Sequence, residues 1–335
     1  MTNVPGSMPK MMCGFVDKNS MISNKSSESI FKKTIGPLIS VVLLIALYYQ
    51  VRKQLDPLQG QFTFETRGWY WLGAALLFSL ANFFIESLKW WALLKKVLPI
   101  NFGQATKSFF AGLAFSMITP NRIGEYPGRL VYLKKPKNFQ LISIALLGVF
   151  TQIFATLFWG NFALYFSPKE SLYGYKTWVF FINIIFSALM LLFIFNYGTW
   201  SKWLQKISWL KRILTFKKLL NKIDLNVQLQ VTVLSVLRYA IFATQLWFLL
   251  YFFKIVPLAW EGFFLCLLFF WSMAVVPSIA LADLGIRGQI GILIFGYFSQ
   301  NTIGILAATI LLWMINLLFP TLIGCILILL RKWRS

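Results

Sequence analysis

Two short polar motifs interrupt the apolar stretches of this 335-residue chain and carry residue types that bind phosphate. The first runs Pro-Asn-Arg-Ile-Gly-Glu from Pro120 to Glu125, with Arg129 following. Proline and glycine break helix continuity, and arginine forms paired hydrogen bonds to phosphate oxygens. On a helix, the glutamate and the second arginine would face each other, four residues apart. We predict that this motif contacts a phosphate-bearing ligand through Asn121, Arg122, Glu125 and Arg129. An ordinary basic cytoplasmic loop is the competing interpretation.

The second motif is Asp-Leu-Gly-Ile-Arg, from Asp283 to Arg287. Its aspartate and arginine are four residues apart and could pair. We place the motif in a turn between two short apolar runs, near or below the membrane interface. There a charged pair favours a functional site, so we predict that both residues contact the same ligand. A turn whose side chains reach out to the interface is the alternative.

Three further charged residues lie within apolar runs. Glu86 and Lys89 are three residues apart and can neutralise each other, which favours an interfacial pair over a ligand site. Arg238 lies deep in a run, where an unpaired charge is costly, so it should face the bundle interior and a carboxylate. The candidate partners are Glu86, Glu125 and Asp283.

The composition indicates which solvent surrounds these motifs. Hydrophobic residues make up 58% of the chain and charged residues only 13%, which is too apolar for a soluble domain of this size. The apolar runs are continuous, whereas β-barrel strands would alternate. We therefore predict an all-α, polytopic integral membrane bundle. The formal net charge is +22, with basic residues between the runs, so we expect anionic lipid rather than nucleic acid as the partner.

The residue types that the sequence lacks exclude several kinds of catalytic and metal-binding site. The sequence has no histidine, which excludes histidine bases, catalytic triads and most transition-metal sites. Its three cysteines are far apart, and neither a nucleotide-binding loop nor a dinucleotide fingerprint occurs. We predict no cofactor, no metal site and no catalytic residue.

The chain divides into a polar N-terminal tail, one membrane domain and a short C-terminal tail, at residues 1–34, 35–330 and 331–335. Both tails are predicted to be cytoplasmic, and the N-terminal one to be disordered. The basic linker 199–226 should form an amphipathic helix on anionic lipid, and tryptophans such as Trp90 fall at run ends, as in an aromatic belt. About seven to nine hydrophobic segments are expected, among the runs 35–51, 69–94, 105–119, 139–166, 177–197, 227–253, 261–281, 289–298 and 302–330.

The run 105–119 is short and has basic residues on both sides, which predicts a re-entrant segment. Each half of the chain contains such a short or broken segment followed by a polar motif. This weak inverted-repeat character is typical of transporters that bind their substrate near the membrane midplane.

The stretch from Ala111-Gly112-Leu113 through Ile118 to Glu125, with Arg129, resembles a hallmark of the lysylphosphatidylglycerol synthase transmembrane (flippase) domain family. Leu284–Arg287 resembles the family's second hallmark, although Gly288 stands where the family commonly has an acid. The resemblance covers about residues 35–330 and implies a polytopic inner-membrane protein. In the best-known members this domain moves an aminoacylated phospholipid across the bilayer and precedes a soluble aminoacyl-transferase domain. This chain ends at Ser335, so we expect no lipid-modifying activity.

These observations favour translocation or binding of an anionic or zwitterionic lipid, or of a lipid-linked precursor, in a bacterial inner (plasma) membrane. Two other functions stay open. One is a membrane-embedded lipid or glycan transferase, for which Glu86, Glu125 and Asp283 are the available acids. The other is a membrane scaffold that binds an unidentified protein partner.

Overall fold

The computed structural model describes residues 66–116, 124–131, 133, 138–167, 176–196, 224–276 and 283–332. All the secondary structure assigned within these ranges is helical, which confirms the all-α prediction. The predicted segment 35–51, both predicted tails except residues 331 and 332, and the linker up to residue 223 lie outside them. The helices are α1 (Tyr70–Leu94), α2 (Phe102–Ser116), α3 (Glu125–Val131), α4 (Asn138–Phe166), α5 (Lys176–Phe195), α6 (Leu225–Phe252), α7 (Trp260–Val275), α8 (Asp283–Phe295), α9 (Thr302–Trp313) and α10 (Phe319–Lys332).

Five helical stretches in the described part of the chain are long and apolar enough to cross a bilayer. They are α1, most of α4, α5, α6, and the stretch Thr302–Leu330, which joins α9 and α10 through the π-helical turn Met314–Leu318. Large apolar side chains remain exposed along α5, among them Phe181, Ile185 and Leu189. Such faces are stable only against lipid, so the chain is a multi-pass membrane protein.

The spanning helices pack around a buried interior. Helix α6 lies along α1 and also contacts α4, α7 and α9, while α2 packs against α3 and α10. Within the described residues this packing produces two large apolar cores and a third, small cluster. The first includes Trp90, Leu93 and Leu141, and the second includes Leu246 and Phe269.

The antiparallel pair of α1 and α6 defines the two ends of the bundle. At one end, where α1 ends, Lys96 Nζ lies 2.8 Å from Asp224 Oδ2 just before α6. This end, with Lys95 and Lys96, is called the basic end below. At the opposite end the backbone N–H of Arg67 donates to the carbonyl of Phe252 at 2.8 Å.

The second sequence motif differs from its prediction. Residues 283–288 were expected to form a turn, but α8 begins at Asp283 and includes them. Glycine disfavours a helix by about 1 kcal/mol, yet packing can override this preference. A Cβ atom on Gly288 would lie 2.8 Å from Leu306 Cδ2, so the glycine allows α8 to approach α9 closely. Two helix boundaries also differ from their predictions. Helix α2 begins at Phe102 rather than at residue 105, and α6 includes residues 225 and 226 of the predicted linker.

Candidate functional site

The carboxylate of Glu86, only 5% exposed, lies among three cationic side chains inside the bundle. Its Oε2 atom is 2.9 Å from Lys89 Nζ, one helical turn along α1. Its Oε1 atom accepts a hydrogen bond from Arg129 Nη2 at 2.7 Å, and Arg238 Nη1 of α6 lies 3.3 Å from Oε2. A single buried acid thus connects α1, α3 and α6.

The short helix α3 positions Arg129. Its proline, Pro127, occupies the first turn, where a missing backbone N–H costs no helical hydrogen bond. Glu125 and Arg129 are one turn apart on this helix, and Arg129 Nη2 donates to Glu125 Oε1. The backbone carbonyl of Arg129 accepts a hydrogen bond from Ser108 Oγ of α2 at 2.7 Å, which holds α3 against α2.

Three aromatic rings surround the Arg129 guanidinium. Its central carbon lies 5.0 Å from the ring centroid of Trp90, 5.1 Å from that of Phe109 and 5.7 Å from that of Tyr126. These distances allow cation–π attraction, which is strongest for a desolvated cation. The rings therefore help to hold a charge that is only 3% exposed.

The charges around α3 also set the ionisation of its own residues. Burial lowers the pKa of Arg129, but the nearby carboxylates of Glu125 and Glu86 outweigh burial, so this pKa lies above its ordinary value. Burial, together with the charge of Glu125, raises the pKa of the Tyr126 phenol. At neutral pH the guanidinium is charged and the phenol is neutral.

These residues line a cavity of about 240 Å³. Among the described residues, counted at their ordinary ionisation, the walls carry three cations and two carboxylates, an excess of one positive charge. The side chain of Arg238 is 27% exposed, against 3–4% for those of Arg129 and Lys89. Its Nη2 atom makes no hydrogen bond within the described residues. The lining residues are Glu86, Lys89, Trp90, Leu93, Glu125, Tyr126, Arg129, Ala145, Gly148, Gln152 and Arg238.

The multi-pass membrane architecture agrees with what comparison of the sequence with protein families reveals. Residues 34–324 match the family described as the lysylphosphatidylglycerol synthase transmembrane region. The chain belongs to this family. None of the curated proteins compared with the chain matches it. The family match covers all the helices that line the cavity, and it confirms the resemblance inferred from the two motifs.

In this family member, the structure brings together five of the residues singled out in the sequence: Glu86, Lys89, Glu125, Arg129 and Arg238. Arg287, in α8, is not among the lining residues of the cavity. Asn121, Arg122 and the side chain of Asp283 lie outside the described residues. These four stay predicted ligand contacts on sequence grounds.

Two interpretations from the sequence need correction. Glu86 and Lys89 were read as an interfacial pair, but both are buried, because α3 and α6 cover this face of α1. Trp90 was read as part of an aromatic belt, but it is 1% exposed and donates from Nε1 to Ser108 Oγ at 3.2 Å.

The sequence analysis did not identify Gln152, which lines the cavity. A polar residue inside a long apolar run is a signal that could have identified it.

The close contact between α2 and α3 gives a first testable prediction, at Gly112. A Cβ atom there would overlap the side chain of Arg129 and lie 2.6 Å from the carbonyl oxygen of Glu125. We expect Gly112→Ala to push α3 away and to lower the free energy of unfolding by about 1–3 kcal/mol. Denaturation of the purified protein in mixed micelles measures this change.

Gly73→Ala is the matched control, because a Cβ atom on Gly73 would meet nothing within 4 Å. This exposed position on α1 should gain up to about 1 kcal/mol from the better helix former. Equal effects of the two alanines would contradict the proposed close contact.

Proposed function

We propose that this protein binds the anionic phosphate headgroup of a lipid, or of a lipid-linked precursor, in the charged cavity and moves it across the membrane. The excess of one positive charge on the cavity walls is the observation that carries this proposal. An unpaired charge inside a membrane bundle is costly, and a bound anion would balance it. The family membership supports a lipid-related ligand.

Arg238 is the cation best placed to meet the headgroup. It combines the largest exposure of the three cations with an unused terminal nitrogen in the described structure. Its Nε and Nη1 atoms donate to Asn82 and Gln152, so the two N–H groups of Nη2 are available for phosphate oxygens. Glu86 and Glu125 then hold the cations in place, while the acyl chains of the lipid remain in the bilayer. Asn121, Arg122, Asp283 and Arg287 complete the proposed set of contacts.

The positive-inside rule orients this site. Lys95 and Lys96 mark the basic end, and the basic linker joins the described chain there, directly before Asp224. We propose that this end faces the cytoplasm of a bacterial cell, with both chain termini on that side and the linker on anionic lipid. The cavity then lies nearer the cytoplasmic leaflet.

Paired short helices supply the proposed movement. In the first half α2 packs against α3, and in the second half α7 packs against α8. We propose that these pairs are re-entrant segments of an inverted repeat, whose rocking opens the cavity to each leaflet in turn.

The decisive experiment compares the wild-type protein with Glu125→Gln in proteoliposomes. Vesicles contain a panel of phospholipids with fluorescent headgroups, and a membrane-impermeant reductant quenches the outer leaflet. Loss of the charge-assisted bond to Arg129, worth about 1.5–3 kcal/mol, should slow translocation about tenfold or more.

Glu261→Gln is the control, because Glu261 is an exposed acid in the first turn of α7, away from the cavity. It should translocate at the wild-type rate. If the wild-type protein moves no lipid of the panel, translocation of these lipids is contradicted. The transferase and scaffold hypotheses are then favoured. If Glu125→Gln moves lipid normally, the cavity is not the route.

A further inference from the structure

A chain of amide side chains leads away from the charged cavity into the bundle. Arg238 Nε donates to Asn82 Oδ1 at 2.9 Å, and Asn82 Nδ2 donates to Asn316 Oδ1 at 3.1 Å. Asn316 Nδ2 then donates to Gln245 Oε1 at 2.9 Å. The amides are thus aligned head to tail: Asn82 and Asn316 each accept on the oxygen and donate from the nitrogen, and Gln245 accepts at the end of the chain. The three residues Asn82, Gln245 and Asn316 are called the amide triad below.

The amide triad extends toward the opposite end of the bundle. Along α6, at a rise of about 1.5 Å per residue, Arg238 lies about 20 Å and Gln245 about 30 Å from the first helical residue. By the same rise, Gln245 is about 10 Å from the last residue of α6, whereas Lys89 is about 8 Å from the end of α1 at the basic end. The cavity and the triad together therefore place polar groups along slightly more than half of the length of α6.

The last member of the triad carries an unused donor. Gln245 is 0% exposed, and its Nε2 atom has no hydrogen-bond partner among the described residues. An unpaired buried donor is unfavourable in an apolar interior. An oxygen acceptor that reached this nitrogen would complete the hydrogen-bond chain.

A second observation concerns the backbone at Asn316. This residue lies in the π-helical turn Met314–Leu318, which separates α9 from α10. π-Helical turns are rare and occur often at functional sites, since they redirect a side chain within a helix. Asn316 uses its position to contact both α1 and α6, while its Nδ2 atom also donates to the carbonyl of Leu312 at 3.0 Å.

A second buried amide cluster shows what a purely structural arrangement looks like here. Asn183 of α5 donates to Asn161 Oδ1 at 2.6 Å and to the carbonyl of Leu157 at 2.9 Å. Its own oxygen accepts from Trp271 Nε1 at 2.9 Å. Asn183 thus has partners for both its oxygen and its nitrogen, unlike Gln245, and it joins α5 to α4 and α7, as interhelical amides commonly do.

We infer that the amide triad is a second binding site for the translocated headgroup, which the headgroup occupies after it leaves the charged cavity. Neutral amides donate to phosphate oxygens and accept from hydroxyl or ammonium groups, so they hold a polar headgroup without a fixed charge that would trap it. The unused Nε2 donor of Gln245 is the point at which an oxygen of the headgroup binds. This inference rests on the proposed translocation function and deepens it.

The test uses the full chain with Gln245→Leu and Asn316→Leu, and with Asn183→Leu as the matched control. Two properties are measured. The rise in thermal midpoint on addition of phosphatidylglycerol reports binding at the charged cavity, and quenching of a headgroup-labelled phosphatidylglycerol in proteoliposomes reports translocation. The triad variants should keep the binding response and translocate about tenfold more slowly or worse, as expected from loss of one hydrogen bond to a charged group.

Gln245→Leu separates this role from a structural one. It removes an unpaired buried donor and also the oxygen that accepts from Asn316 Nδ2, which keeps its bond to the carbonyl of Leu312. These two effects oppose each other, so the thermal midpoint should stay close to that of the wild type while translocation falls. Asn183→Leu should do the reverse, with a lower thermal midpoint and a wild-type rate per folded molecule. If the wild-type protein translocates phosphatidylglycerol and Gln245→Leu does so at the same rate, the second site is overturned while the proposed function stands. A wild-type protein that moves no phosphatidylglycerol would overturn translocation of this lipid, and the second site with it.

Discussion

Replacing Glu86 by glutamine should cause the largest loss of stability in this protein. The substitution keeps the shape of the side chain but leaves Lys89, Arg129 and Arg238 without their shared carboxylate. Removing one partner of a buried ion pair costs about 3–5 kcal/mol, because the other charges remain buried. Unfolding of the purified protein in mixed micelles, at increasing denaturing detergent, measures the change in free energy.

The exposed ion pair at the basic end supplies the control. Asp224 and Lys96 are similarly close, at 2.8 Å, but their side chains are 60% and 32% exposed. Asp224→Asn should therefore cost less than about 1 kcal/mol. A second substitution, Lys89→Met, added to Glu86→Gln should recover most of the loss, since it removes one of the uncompensated cations. An unchanged free energy of unfolding in Glu86→Gln would show that the cluster is not held by this acid.

The second large effect is expected on translocation, from Arg238→Gln. If Arg238 binds phosphate through two charge-assisted hydrogen bonds of about 1.5–3 kcal/mol each, their loss should slow translocation about a hundredfold. The free energy of unfolding should fall by less than in Glu86→Gln, because the side chain of Arg238 is 27% exposed and its removal leaves two cations beside two acids. Translocation in proteoliposomes and unfolding in micelles are both measured.

Two further variants identify the cause of this loss. Arg238→Lys keeps the charge but not the planar pair of donors, so it should recover part of the rate. Arg67→Gln is the control, because Arg67 lies at the opposite end of the bundle, away from the cavity, with its guanidinium carbon 3.7 Å from the ring centroid of Tyr251. Equal losses in Arg67→Gln and Arg238→Gln would contradict a specific role for the cavity arginine.

Much of the fold could be predicted because lipid imposes local rules on the sequence. A spanning helix needs about 20 apolar residues, so its limits can be read from the chain directly. The run 227–253 corresponds to α6 at Leu225–Phe252, and the run 139–166 to α4 at Asn138–Phe166. The motif at 283–288 was misplaced because a polar motif between two short apolar runs suggested a turn, whereas it forms the start of α8, in which Gly288 packs against α9.

The sequence by itself determined the contacts that depend on helical spacing. Glu86 with Lys89, and Glu125 with Arg129, are neighbours on any helix, so each pair could be identified without the fold. Tertiary packing decided the rest. It alone selected Glu86, from three candidate acids, as the partner of Arg238, since the choice depends on how α1 lies against α6. It also assembled the amide triad, because Asn82, Gln245 and Asn316 come from segments far apart in the chain and meet only when the bundle closes.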